Sequence, residues 1–140
     1  MDLKFLKVKE ASGDTIRSPD IVANIMAEEA KADRECFWIL HLNPANKIIE
    51  KELVSIGTVN ASLVHPREVF KKAILNGATG IITVHNHPGG QTQPSNEDKA
   101  IWQRLDEAGK ILSIEVLDHL IITLSGEYYS KKEGNALRKK

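Results

Sequence analysis

The chain has 140 residues, with 19 basic and 19 acidic side chains and a formal net charge of zero. That length suits one compact domain with one core, and zero net charge supplies no global field to draw nucleic acid or an anionic membrane. The single cysteine, Cys36, excludes an intramolecular disulfide and fits a reducing, cytoplasmic setting. The opening "MDLKFLKVKE" lacks the apolar run of a signal peptide. No segment approaches the roughly 20 apolar residues of a membrane helix, so no membrane partner is expected.

The first ten residues alternate, with Leu3, Phe5 and Val8 apolar among lysines, which reads as a half-exposed strand. "SPD" then opens a helix with Ser18 as N-cap and Pro19 in the first turn. Ile21, Val22, Ile25 and Met26 form its apolar stripe, and it is expected to run to about Ala32. "ECFWILHL" is a buried strand, with Cys36 as a small buried residue. "NPANK" turns the chain, and "IIEKELVSIGTV" returns as the second arm of a hairpin. "HPREVFKKAILNG" is a helix with Pro66 near its start and Gly77 past its end. "GIITV" is a short central strand. A polar loop leads to a third helix from Ser95 to about Ala108, closed by Gly109. "ILSIEVLDHLIITLSGEYYS" is too rich in β-branched residues for a helix and reads as two or three strands.

The order β-α-β-β-α-β-α-β-β mixes helices with a largely hairpin-built sheet. The fold class is therefore α+β, or mixed α/β: a central mixed β-sheet flanked by about three helices. Residues 1–130 are expected to form a single domain. Residues 131–140, with Lys131, Lys132, Arg138, Lys139 and Lys140, are expected to be a basic, flexible tail.

The chemistry concentrates in "VHNHPGGQTQPSNED". Residues i and i+2 of a strand point to one face, so His85 and His87 can project together. Pro88 and two glycines then stop the strand and turn the chain. Ten residues separate His87 from Asp98, enough for a loop and a first helical turn to return a carboxylate to the same point. Two imidazoles and a carboxylate give three ligands. Zinc prefers four, which leaves one position for water, the catalytic pattern. Zinc lowers the pKa of such a water to about 7; a base and an oxyanion donor complete the chemistry. "SNED" is also a capping box, with Ser95 as N-cap and Asp98 three residues on. The two readings coexist, because a capped helix N-terminus is a rigid platform for a ligand.

His85-Asn86-His87-Pro88, with Ser95 and Asp98 downstream, resembles the JAMM motif of the JAB/MPN metalloprotease fold, which belongs with the cytidine-deaminase-like folds. "GTVNASLVHPREVFKKAILNGATGIITVHNHPGG" and "LDHLII" bring the resemblance closer to the RadC-like branch. It implies a zinc cofactor held by His85, His87 and Asp98, with Ser95 stabilising the oxyanion. It also implies a glutamate at the start of the strand after the first helix, here Glu35, acting as general base. Glu52 and Glu68 are the alternatives for that base. His65 and His119 match RadC-like patterns without an assigned role, and His41 stands where many relatives have aspartate. Larger RadC-like proteins carry an N-terminal helix-hairpin-helix module of a type that often contacts DNA. The sequence here matches only the metalloprotease-like part, so the family's DNA-repair association carries little weight.

The expected function is thus a zinc metallopeptidase of JAMM type, acting on an amide or isopeptide bond of a peptide or protein substrate. A non-catalytic binding module connected with DNA maintenance is one alternative. A metal-dependent nuclease is another, against which the zero net charge counts.

Overall fold

The computed structural model describes residues 11, 13–57, 59, 62 and 64–138, with the backbone alone for 135–138. The strand expected over the first ten residues lies outside the described residues. The element order is α1 (Pro19–Ile25), a single 3-10 turn (Glu29–Lys31), β1 (Cys36–Leu42), β2 (Ile48–Ile56), α2 (Pro66–Leu75), β3 (Gly80–Asn86), α3 (Asn96–Leu112), β4 (Glu115–Ile122), β5 (Glu127–Ser130) and β6 (Gly134–Arg138).

The strands form one sheet in the order β2-β1-β3-β4-β5-β6. β1 and β2 make the expected hairpin, and β1 also pairs antiparallel with β3. β3 and β4 run parallel, joined by α3 as the crossover. This is the α+β architecture with a mixed sheet that the sequence implies.

The sheet is covered on both faces, so its central strands are buried throughout. On one face Val22, Ala23 and Met26 of α1 cluster with Trp38, Leu40, Leu42, Ile82 and Val84. On the other, Val69, Phe70 and Ala73 of α2 and Ile101, Trp102 and Leu105 of α3 cluster with Phe37, Ile39 and Ile81. The single core expected from chain length is thus divided by the sheet into two. Strand alternation decides which residue faces which layer: odd-numbered positions of β1 and β3 face α2 and α3, even-numbered ones face α1.

Three boundaries differ from the sequence reading. The first helix stops at Ile25, and only a 3-10 turn follows. Residues 27–29, "AEE", bring no large apolar side chain, and a short helix persists only where its face is packed. α3 runs past Gly109 to Leu112 and ends at Ser113, whose φ is 59°. Where a loose tail is expected after Lys131, residues Gly134–Arg138 form β6, paired antiparallel with β5. Gly134, at φ 90°, closes that hairpin, and the ladder outweighs the tail-like charge of the segment.

Gly109 serves close approach, not helix termination. A Cβ there would stand 2.6 Å from the Ile114 carbonyl oxygen and 2.9 Å from a methyl of Val116. A glycine-to-alanine change inside a helix ordinarily stabilises by about 1 kcal/mol. Here the clash reverses the sign, and Gly109→Ala is expected to destabilise by about 1–3 kcal/mol. Urea unfolding measures it, and a gain in stability contradicts the close-approach account.

Candidate metal centre

The C-terminal end of β3 and the N-terminal end of α3 meet on the sheet face that α2 and α3 cover. His85, the second-last residue of β3, faces that layer and is almost fully buried. His87 lies one residue past the strand, but its N–H still donates to the Ile122 carbonyl of β4 at 3.0 Å. The two rings stand edge to face with centroids 4.7 Å apart. The paired projection expected from His-x-His is therefore present, although the strand itself stops between them.

The loop after His87 folds back at once. Gly90, at φ 86°, donates its N–H to the His87 carbonyl at 3.0 Å. One residue later, the Gln91 carbonyl accepts from His87 Nδ1 at 2.6 Å. That bond fixes the Nδ1–H tautomer and leaves Nε2 as the nitrogen that could ligate a metal.

α3 begins with the full capping box. Ser95 Oγ accepts from the Asp98 N–H at 3.0 Å, and Asp98 Oδ2 accepts from the Ser95 N–H at 2.9 Å. The Asp98 carboxylate also reaches both histidines: Oδ1 lies 3.2 Å from His85 Nδ1, and Oδ2 lies 3.4 Å from His87 Nε2. Burial alone would raise the Asp98 pKa. The bonds from His85, His87 and the Ser95 N–H outweigh burial and hold it far below the usual carboxylate range. His87 responds in the opposite direction. Burial would lower it, but the bonds to Asp98 and to the Gln91 carbonyl raise it above the ordinary histidine value.

Glu35 enters from the residue before β1. Its Oε2 lies 3.8 Å from His85 Nε2, and its side chain is 40% exposed. Among the described residues, Glu35, His85 and His87 form the group whose ligand atoms all lie within 4.8 Å of one another. Asp98 stands outside that group: its Oδ1 faces the Nδ1 edge of His85, whereas Glu35 faces Nε2. The glutamate expected as base is thus among the ligand atoms, and the aspartate expected as ligand touches both histidines.

One atom marks the centre chemically. His85 Nε2 is the buried side-chain nitrogen or oxygen that has no hydrogen-bond partner among the described residues. Leaving such an atom unpaired costs about 1–3 kcal/mol, and a metal ion would satisfy it. The donor set of imidazole nitrogens and carboxylate oxygens suits a divalent metal.

The alternatives for the base lie elsewhere. Glu52 is bonded to His41 Nε2 at 3.0 Å, four residues along β1 from the Phe37–His85 pair, roughly 13 Å away. Glu68 is on the first turn of α2, beside Arg67. His65 is the N-cap of α2 and half-buried. His41 and His119 are structural. His41 is fully buried between Glu52 and the Asn76 amide, which donates to its Nδ1 at 2.9 Å. His119 stacks on Trp102 and bridges Thr83, at 2.6 Å, to Asp106, at 2.7 Å. Burial lowers the pKa of both, against the bonds to Glu52 and Asp106. Two contributors escaped the sequence reading. The Gln91 carbonyl carries no residue-type signal, and Asn86 is hidden as the variable letter of His-x-His.

A family model described as the RadC-like JAB domain matches residues 16–136. The chain belongs to the RadC-like JAB domain family. It is 49% identical over 121 residues to a Finegoldia magna protein, covering 86% of this chain and 54% of that one. It is 53% identical over 119 residues to an Alkaliphilus metalliredigens protein, covering 84% and 51%. A Moorella thermoacetica protein is 49% identical over 127 residues, covering 90% and 55%. All three are named UPF0758 protein, a name that states no activity. The chain spans about half the length of the curated relatives it matches. The mixed sheet with helices on both faces agrees with a RadC-like JAB domain of α+β, JAB/MPN-like fold. No helix among the described residues is long and apolar enough to cross a membrane.

The imidazoles of this RadC-like JAB domain are expected to separate on titration. In chelator-treated protein, His41 and His119 should titrate below about 6.5 and His87 above it. Burial favours the neutral ring at the first two, and Asp98 favours the charged ring at the third. A metal held by His87 would have to displace its proton, so metal affinity should fall as pH drops through that raised value. NMR of the ring resonances reads the order, and His87 titrating below His119 contradicts it.

Proposed function

We propose that the chain is a zinc-dependent hydrolase of JAMM type, a metallopeptidase that cleaves an amide or isopeptide bond. The observation that carries this reading is the grouping of Glu35, His85 and His87 ligand atoms beside the unpartnered, buried His85 Nε2, with Asp98 against both imidazoles. Membership of a superfamily that includes hydrolases supports it.

In this reading His85, His87 and Asp98 hold the zinc. Asp98 suits a ligand because it is buried, fixed by its own helix and kept ionised. When bound, zinc acts as a Lewis acid that acidifies water and polarises a carbonyl. Glu35 suits the base because it is the carboxylate of the cluster open to solvent. It takes the proton from the attacking water and returns it to the leaving amine. Ser95 Oγ accepts from its helix, which leaves its own O–H to donate to the developing oxyanion. The substrate would be a peptide or protein.

Glu35→Gln keeps the shape but removes the base. It is expected to retain zinc by elemental analysis and to lose about 10²–10⁴-fold in turnover. His87→Ala and Asp98→Asn are expected to lose the metal. Full activity in Glu35→Gln would remove that residue from the mechanism. A metal-loaded wild type that cleaves no member of a peptide and isopeptide panel would favour a binding module instead.

A further inference from the structure

Asn86 sits between the two histidines but on the opposite face of β3, and it is fully buried. The β1–β3 ladder ends at the pair Phe37–His85. Beyond that pair the backbone of β3 no longer reaches β1, and the Asn86 side chain takes over. Its Oδ1 accepts from the Cys36 N–H at 2.6 Å. Its Nδ2 donates to the Arg34 carbonyl at 3.0 Å and lies 3.5 Å from the Ala32 carbonyl. The carboxamide has the donor and acceptor of a peptide group, so it acts as one more rung of the ladder.

The residue between those two anchors is Glu35. From the other side, the Gly57 N–H at the end of β2 donates to the Glu35 carbonyl at 2.7 Å. The backbone groups of residues 34, 35 and 36 are therefore held in turn by Asn86, Gly57 and Asn86. With Cys36 in the α1-side cluster, strand alternation sends Glu35 to the opposite face, where it meets His85 Nε2.

We propose that Asn86 is a positioning residue, which clamps the lead-in to β1 so that the Glu35 carboxylate is presented to the His85 imidazole. Asn86 makes no contact of its own with the ligand atoms and acts through Glu35. The part of this inference that concerns turnover rests on the proposed hydrolase reading; the clamp itself does not. A filler of the same size does not reproduce it, because aspartate cannot donate to Arg34 and leucine can pair with neither group.

Amide hydrogen exchange in metal-free Asn86→Ala tests the clamp without any substrate. The Cys36 amide, which loses its acceptor, should exchange at least tenfold faster. So should the Gly57 amide, which touches Glu35 and not Asn86. The Ile39 amide, inside the ladder, should be unchanged and shows that the fold is intact. Unchanged Gly57 exchange overturns the proposal. Should the alanine variant not fold, Asn86→Ser is read at the same amides. With a fluorogenic peptide-amide library as probe, zinc content should hold while kcat falls at least tenfold at constant KM. Added to Glu35→Gln, Asn86→Ala should then cost nothing more; an equal further loss shows that it does not act through Glu35. If no library member is cleaved by the wild type, the hydrolase reading fails while the exchange result still decides the clamp.

Discussion

The buried Asp98 carboxylate, caught between its own helix cap and two imidazoles, is the interaction on which the site depends. It joins two consecutive elements across a polar loop: a strand that ends at Asn86 and a helix that begins at Asn96. The carboxylate is stabilised three ways at once. The Ser95 N–H donates to it, the positive end of a 17-residue helix faces it, and both histidines contact it. Without those partners, burial would push it towards the neutral acid and the histidines would lose the charge that orders them.

Rigidity reaches the site from three directions. β4 holds the backbone of His87, the Gln91 carbonyl holds its ring, and α3 holds Asp98 through a reciprocal cap. Glu35 is held more lightly on its side-chain end, where the Val59 N–H donates to its Oε2 at 3.4 Å and His85 Nε2 lies 3.8 Å away. That contrast is chemically sensible. Ligands need fixed geometry, whereas a group that carries a proton between two positions needs some freedom. The polar pairs of His41 and His119 belong to a different task. Each satisfies a buried imidazole within the sheet face and stabilises the scaffold beneath the centre.

Much of this was legible in the sequence because the relevant signals are local. Continuous apolar runs located β1 and β3, Pro66 and Gly77 bracketed α2, and "SNED" announced a capping box that forms in full. His85, His87, Asp98 and Glu35 do come together, with Asp98 against both imidazoles and the ligand atoms of Glu35, His85 and His87 within 4.8 Å of one another. What stayed hidden depends on long-range contact. α1 ends where its packing ends. Gly109 looks like a helix stop until Ile114 is seen beside it. The basic residues near the C-terminus mask a strand that only its partner β5 reveals. Backbone groups such as the Gln91 carbonyl have no letter to read, and Asn86 reads as filler until its side chain is seen bridging to the residues on either side of Glu35.

The most direct test of the account is X-ray absorption at the zinc edge on protein loaded with one equivalent of zinc. The account predicts a four-coordinate shell of nitrogen and oxygen donors at about 2.0–2.2 Å, with the multiple-scattering signature of two imidazoles. A shell of oxygens alone, without imidazole scattering, would show that His85 and His87 do not bind the metal and would contradict it.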